Sequence, residues 1–272
     1  LHIIKHVPRP GTIAGIFIQR QSTHLHVDIF SFVPTCFARQ RLWKPAMTLA
    51  AHQLSCQRGE RQLFSGLQFV LQGGDALRIV GANGSGKSSL LRILCGLALP
   101  QTGQVLWQGR DIRRLREEYY GKLIYFGHAN GVKDDLLAWE NLVISATLSG
   151  QSVTRERAYA ALEQLGLGAA ADLPTRALSQ GQRKRVALAR LQLGMNLPLW
   201  ILDEPFTALD QAAVNQLIVT LDAHLAGGGM VIYTTHQEIT LGSGRMACID
   251  LNQGGPDQHG AAQDHAEQNQ PC

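Results

Sequence analysis

The sequence predicts an α/β fold built on a mostly parallel sheet. Three features predict it: short apolar runs, helical-period segments between them, and a glycine-rich loop joining one such run to one such segment. Strands covered on both faces of a parallel sheet read as continuous apolar runs without in/out alternation. Ala76–Val80, Leu123–Phe126, Leu199–Leu202 and Met230–Tyr233 read that way. Leu67, Phe69 and Leu71 alternate with polar neighbours, the pattern of a half-buried strand.

In chain order, residues 1–46 show no sustained period and are expected to be an extension outside the folded unit, with Met47 as the physiological start. They carry six Lys/Arg against one Asp, whereas the other 226 residues carry nineteen basic and twenty acidic side chains. The basic pI of about 8.9 therefore belongs to the leader, and the near-neutral body gives no reason to expect a nucleic-acid partner. Helical spacing follows at Leu90, Leu91, Leu94 and Leu97, at Ala158, Ala161, Leu162 and Leu165, and at Val186, Ala189 and Leu193 with Ala187 and Leu191. A last helix through Val214, Leu217, Ile218, Leu221 and Leu225 stops at Gly227-Gly228-Gly229. Residues 252–272 offer little to bury and read as a disordered tail. No apolar stretch approaches the ~18–20 residues of a membrane-spanning helix. The five Cys (36, 56, 95, 248 and 272) form no C-x-x-C pair, which argues against a disulfide framework or a structural zinc.

Gly81-Ala-Asn83-Gly84-Ser85-Gly86-Lys87-Ser88 matches G-x-x-x-x-G-K-[ST] between a strand and a helix, and Ser89 follows it. Glycines let the backbone wrap an anion so that N–H groups converge on phosphate oxygens, and the helix N-terminus adds its dipole. Lys87 is placed to reach the β/γ-phosphates and Ser88 to ligate Mg²⁺. This is a nucleoside triphosphate site. Leu199–Leu202 ends in Asp203-Glu204, which puts one carboxylate where it can orient magnesium through water and a second where it can polarise attacking water. Leu178-Ser179-Gln-Gly181-Gln182 opens a second helix whose tip offers the Ser179 hydroxyl and the Gly181 N–H to an anion. The basic run Arg183–Arg185 behind it reads as a solvated helix face.

A Leu-Ser-x-Gly-Gln segment between a phosphate loop and an acidic strand end resembles the signature of the ATP-binding cassette (ABC) ATPases. Ala208-Leu-Asp210 resembles their D-loop, His236 in Tyr-Thr-Thr-His their switch histidine, and Glu140-Asn-Leu142 the opening of their helical subdomain. The resemblance covers about residues 48–251. It implies a P-loop cassette (47–251) with a RecA-like core sheet, an antiparallel β subdomain and a helical insertion at about 110–178. It also implies ATP and Mg²⁺ as ligands, and a homodimer in which each ATP lies between one copy's phosphate loop and the other's Ser179–Gln182 tip. Asp210 joins the nucleotide-facing residues on this reading. Two positions depart from the pattern. His128 stands where the family has a glutamine and is carried over as a catalytic-site residue with Glu204 and His236. Arg58 stands where an adenine-stacking aromatic is usual, and its guanidinium plane can stack on a base.

The Gly127-His128 pair, Val105–Gly109, Trp200–Asp210 and Gly228–Gln237 are together similar to the ATP-binding subunits of cytochrome c biogenesis (Ccm-type) haem exporters. That likeness implies a peripheral subunit on the cytoplasmic face of a bacterial inner membrane, partnered by a small integral-membrane permease and haem-handling maturation proteins. The chain has no C-x-x-C-H of its own, so haem enters through the resemblance alone. The same motifs fit an exporter of another cargo. A non-transport cassette acting on nucleic acid or the ribosome fits less well, since the 92 residues from Lys87 to Ser179 hold no heptad insertion.

Overall fold

The computed structural model describes residues 47–252. The readings for residues 1–46 and for the tail beyond Asn252 lie outside the described residues. Within them the chain runs β1 (Thr48–Arg58), β2 (Arg61–Gln72), β3 (Asp75–Val80), α1 (Lys87–Leu94), β4 (Thr102–Trp107), β5 (Arg110–Asp111), α2 (Ile112–Leu115), α3 (Glu117–Tyr120) and β6 (Leu123–Phe126). It continues through α4 (Ala138–Leu148), α5 (Arg155–Glu163), α6 (Gln180–Leu188), α7 (Arg190–Leu193), β7 (Leu199–Leu202), α8 (Gln211–Ala226), β8 (Met230–Thr234) and β9 (Arg245–Asp250).

The strands form two sheets. One is antiparallel in the order β2-β1-β4-β5; the other is parallel throughout in the order β6-β7-β8-β3-β9. Although β7 and β8 read as unbroken apolar runs, their side chains still alternate between faces. Leu199, Ile201, Met230 and Ile232 join Leu77 and Ile79 in a core shared with the antiparallel sheet and α1. Trp200, Leu202, Val231 and Tyr233 join the opposite core, against residues of α4, α5, α6 and α8. Every residue of β7 and β8 is buried, as central strands require.

Three local readings are corrected. Leu123–Phe126 is an edge strand, and only Phe126 is fully buried. The first helix ends at Leu94 because Gly96 turns left-handed at φ +75°, leaving Leu97 outside the helix and 55% exposed. The helix behind the signature breaks at Ala189 into α6 and α7. β1, β4, β5 and β9 are strands beyond those that the apolar runs predict: β1 bulges where Gln53 adopts φ +49°, and no residue of β9 is fully buried. No helix among the described residues is long and apolar enough to cross a membrane.

Candidate functional site

Ligands of open parallel sheets gather beyond the carboxyl ends of the strands. Here the order β7-β8-β3 sets three such ends side by side. The Gly81–Ser88 loop leaves β3, Asp203-Glu204 leaves β7, and Thr235-His236 leaves β8.

The phosphate loop closes on itself. Gly81, Gly84 and Gly86 all take positive φ (149°, 79° and 107°), a region that L side chains rarely enter. A Cβ on Gly81 would lie 2.5 Å from Ser85 Oγ, and one on Gly86 would lie 3.0 Å from Leu63 Cβ, so the cradle has no room for side chains there. Lys87 is buried, and its Nζ donates to the carbonyls of Gly81 (2.7 Å) and Ala82 (3.2 Å). Ala82 N–H in turn donates to Asn252 Oδ1 at 2.7 Å, tying the residue read as the root of the tail to the loop. Ser88 and Asn83 are exposed, Ser89 is half-buried, and Ser85 Oγ is buried without a hydrogen-bond partner among the described residues.

Around His236 the three strand ends meet. Its Nε2 lies 3.2 Å from Glu204 Oε1 and 3.4 Å from Lys87 Nζ. One ring nitrogen can donate to the carboxylate or accept from the ammonium according to tautomer, but not both. Glu204 itself sits at φ +51°, immediately before Pro205, although a residue before proline is normally held extended. Strain of this kind, of the order of 1–3 kcal/mol, survives only where neighbours over-determine the backbone. They do so here: Glu204 N–H donates to Thr234 Oγ1 (2.8 Å), and the Glu204 carbonyl accepts from Lys184 Nζ (2.6 Å). The Thr234 hydroxyl donates onward to Asp203 Oδ1 at 2.8 Å, and Asp203 N–H donates to the Phe126 carbonyl at 2.7 Å. Asp203 Oδ2 is buried with no hydrogen-bond partner among the described residues.

Lys184 corrects the reading of Arg183–Arg185 as a solvated face. It is buried, lies 5.5 Å over the Phe126 ring, and its pKa is pulled down by burial against the opposing pull of Glu204 and Asp203. Arg183 holds the carbonyls of Leu178 and Arg176 and pairs with Asp134, while Arg185 reaches the Leu165 carbonyl. The run is a set of tethers. Lys184, Thr234 and Thr207, whose hydroxyl donates to Glu204 Oε2, were not singled out from the sequence. The polar Thr-Thr pair ending an apolar strand was the one available signal.

The tip of α6 is built by its own sequence. Ser179 Oγ accepts from Gln182 N–H (3.2 Å) and Gln182 Oε1 accepts from Ser179 N–H (2.9 Å), a reciprocal capping box that leaves the serine O–H free to donate outward. A Cβ on Gly181 would lie 3.0 Å from the Ala208 carbonyl, so this tip packs tightly against the 208–210 turn. Asp210 is exposed and caps α8 through Ala213 N–H at 2.8 Å. Glu140 and Asn141 shape the entry to α4: Glu140 accepts from Leu137 N–H, and Asn141 exchanges bonds with Lys133 in both directions. Among the described residues no hydrogen bond or ion pair joins residues 179–182 to residues 81–89. His128, past the end of β6, and Arg58, at the tip of the β1–β2 hairpin, are exposed, and their side chains make no hydrogen bond or ion pair with described residues.

Comparison with known proteins identifies the family. Residues 64–207 match the ABC transporter family. The chain is 50% identical to the cytochrome c biogenesis ATP-binding export protein CcmA of Nitrosospira multiformis, over 75% of this chain and 98% of that one. It is 53% identical to the protein of the same description from Nitrosomonas europaea, over 72% and 92%. A solved dimeric ATP-binding cassette in a post-hydrolysis state, bound to ADP and Pi, superposes with a TM-score of 0.60 at 25% identity, over 70% of this chain and 88% of that one. The chain therefore belongs to the ABC transporter family and, within it, to the CcmA-type cytochrome c biogenesis ATP-binding export proteins.

Proposed function

We propose that this chain is the ATP-hydrolysing subunit of a haem-exporting complex of c-type cytochrome maturation, acting as a homodimer beneath a small membrane permease on the cytoplasmic face of the inner membrane. The observation that carries the catalytic part is the convergence on His236 Nε2 of Glu204 Oε1 at 3.2 Å and Lys87 Nζ at 3.4 Å, from three adjacent strand ends. On this reading the backbone of residues 81–89 cradles the phosphates and Lys87 exchanges its loop carbonyls for phosphate oxygens. Glu204 accepts a proton from the attacking water, and His236 orients Glu204 and the γ-phosphate. Ser179, Gly181 and Gln182 of the second copy close the pocket, with Asp210 at the seam. Arg58 faces the nucleotide and His128 the rim beside β6.

The donors fit magnesium. A buried carboxylate oxygen without a partner is unfavourable unless a cation or its water completes it, and Asp203 Oδ2 is such an atom. Ser88 would hold the ion directly and Asp203 through water; when bound, it neutralises charge on the β- and γ-phosphates. The strained Glu204 backbone keeps the base from collapsing away from the pocket.

The proposed cassette spans 47–251, and the helical part of its 110–178 segment, which begins beyond β6, is the coupling element. A cleft of about 320 Å³ between β6 and α4, lined by Leu123, Tyr125, Leu142, Ser149, Arg190 and Leu197, supports docking of a permease segment there. Ile144 and Leu148 of α4 are exposed on the same helix. Co-purification with the membrane subunit, haem staining of the complex and phosphate release from ATP test the proposal together. A haem-positive complex whose ATP turnover is lost in Glu204→Gln is expected; a complex free of haem, or one indifferent to Glu204→Gln, contradicts it.

A further inference from the structure

We infer that Arg61 binds the phosphates of the nucleotide and, with Arg58, forms a cationic clamp that selects ligands by phosphate charge and not by base. The inference rests on the nucleotide-binding reading above and deepens it.

The β1–β2 hairpin leans directly on the phosphate loop. Leu63 Cβ lies 3.0 Å, and Phe64 Cδ1 3.3 Å, from where a Cβ of Gly86 would stand. Arg61 Nη1 lies 3.8 Å from the corresponding position on Gly84. Arg61 is thus within reach of an anion seated in that loop. The register pairs Arg58 directly with Arg61 across the hairpin, so both guanidinium groups leave the same face. Like charges set directly opposite each other destabilise a strand pair. Neither guanidinium has a hydrogen bond or ion pair with any described residue to offset that repulsion. An anion between them would.

Lys87, by contrast, is occupied by two carbonyls of its own loop. Arg61 is, among the described residues, an exposed cation beside the loop with no hydrogen bond or ion pair to give up, and a guanidinium presents the forked donors that phosphate oxygens take in pairs. The hairpin tip Arg58-Gly59-Glu60-Arg61 carries no aromatic ring, so nothing there recognises a purine by its face in preference to its charge.

Calorimetric titration of the full chain with ATP, GTP and inorganic tripolyphosphate tests this. Arg61→Ala weakens all three by the same factor, about tenfold for one charge-assisted contact, and Arg61→Lys recovers part of the loss. The nucleotide-free Arg61→Ala protein melts no lower than the parent, because a repulsive pair is removed. The inference is overturned if Arg61→Ala leaves all three ligands unaffected, if it weakens ATP while sparing tripolyphosphate, or if it lowers the melting temperature of the free protein. Lys87→Ala separates the two levels. If that variant also keeps its affinity for ATP and tripolyphosphate, the nucleotide site itself is misplaced; if only Arg61→Ala is silent, the clamp alone fails.

Discussion

The two helix tips proposed to face the nucleotide's phosphates are built on opposite plans. The phosphate loop at the head of α1 is enclosed: three left-handed glycines, a buried lysine and a bond from Ala82 N–H to Asn252 fix its path within one chain. The tip of α6 is open. Its capping box satisfies Ser179 and Gln182 locally, Ser179 is exposed, and no bond among the described residues links it to the loop of the same chain. An enclosed cradle and an exposed lid on one polypeptide make sense when the lid serves another copy. The two regions are nevertheless connected from behind, because Lys184 on α6 grips the carbonyl of Glu204. The closing element thereby touches the strained backbone that carries the proposed base.

The largest expected effect is on chemistry. Glu204→Gln lowers ATP turnover by about a thousandfold, within the range of a general base, while nucleotide affinity measured by titration stays near the parent value. Lys87→Ala acts on the enclosed half, weakening ATP by about a thousandfold through the loss of charge-assisted contacts. If Lys87→Ala spared binding while Glu204→Gln abolished it, the division between cradle and chemistry would be wrong.

A third effect concerns the sheet face that packs α8. His224 is buried and stacked on Trp200 at 3.8 Å between ring centroids, and desolvation lowers its pKa to about 4. Between pH 6.5 and 4 the unfolded chain takes up a proton that the folded chain refuses, so stability falls as pH falls. The loss amounts to about 3 kcal/mol by pH 4. Urea unfolding across that window should show the slope in the parent and a flatter one in His224→Phe; equal slopes would remove His224 from the explanation.

The smallest of the four sharpens the link between halves. Lys184→Met removes the cation that holds the Glu204 carbonyl, and kcat is expected to fall about tenfold with KM little changed. A rise in KM with kcat intact would instead make Lys184 part of the binding surface.

Much of this was legible in the sequence because strong local rules operate. The β7 and β8 runs are apolar throughout since both their faces are covered, and Gly81–Ser88 declares itself because only glycine tolerates those backbone angles. The signature helix tip was legible because Ser179 and Gln182 cap their own helix. What escaped depends on distance in sequence. Lys184 reads as one charge among three until the fold brings Glu204 against it. Arg61 is one surface charge among many in the sequence, and only the fold sets its guanidinium beside Gly84. Likewise β1 hides behind its bulge at Gln53, where the alternation slips.

The central claim is that one chain holds only half of each working pocket. Light scattering on the Glu204→Gln protein, with and without saturating ATP, tests it most directly. The mass should double when ATP is added and stay that of a single chain when Ser179→Arg is combined with Glu204→Gln. A single-chain mass at saturating ATP, or a dimer indifferent to Ser179→Arg, would contradict it.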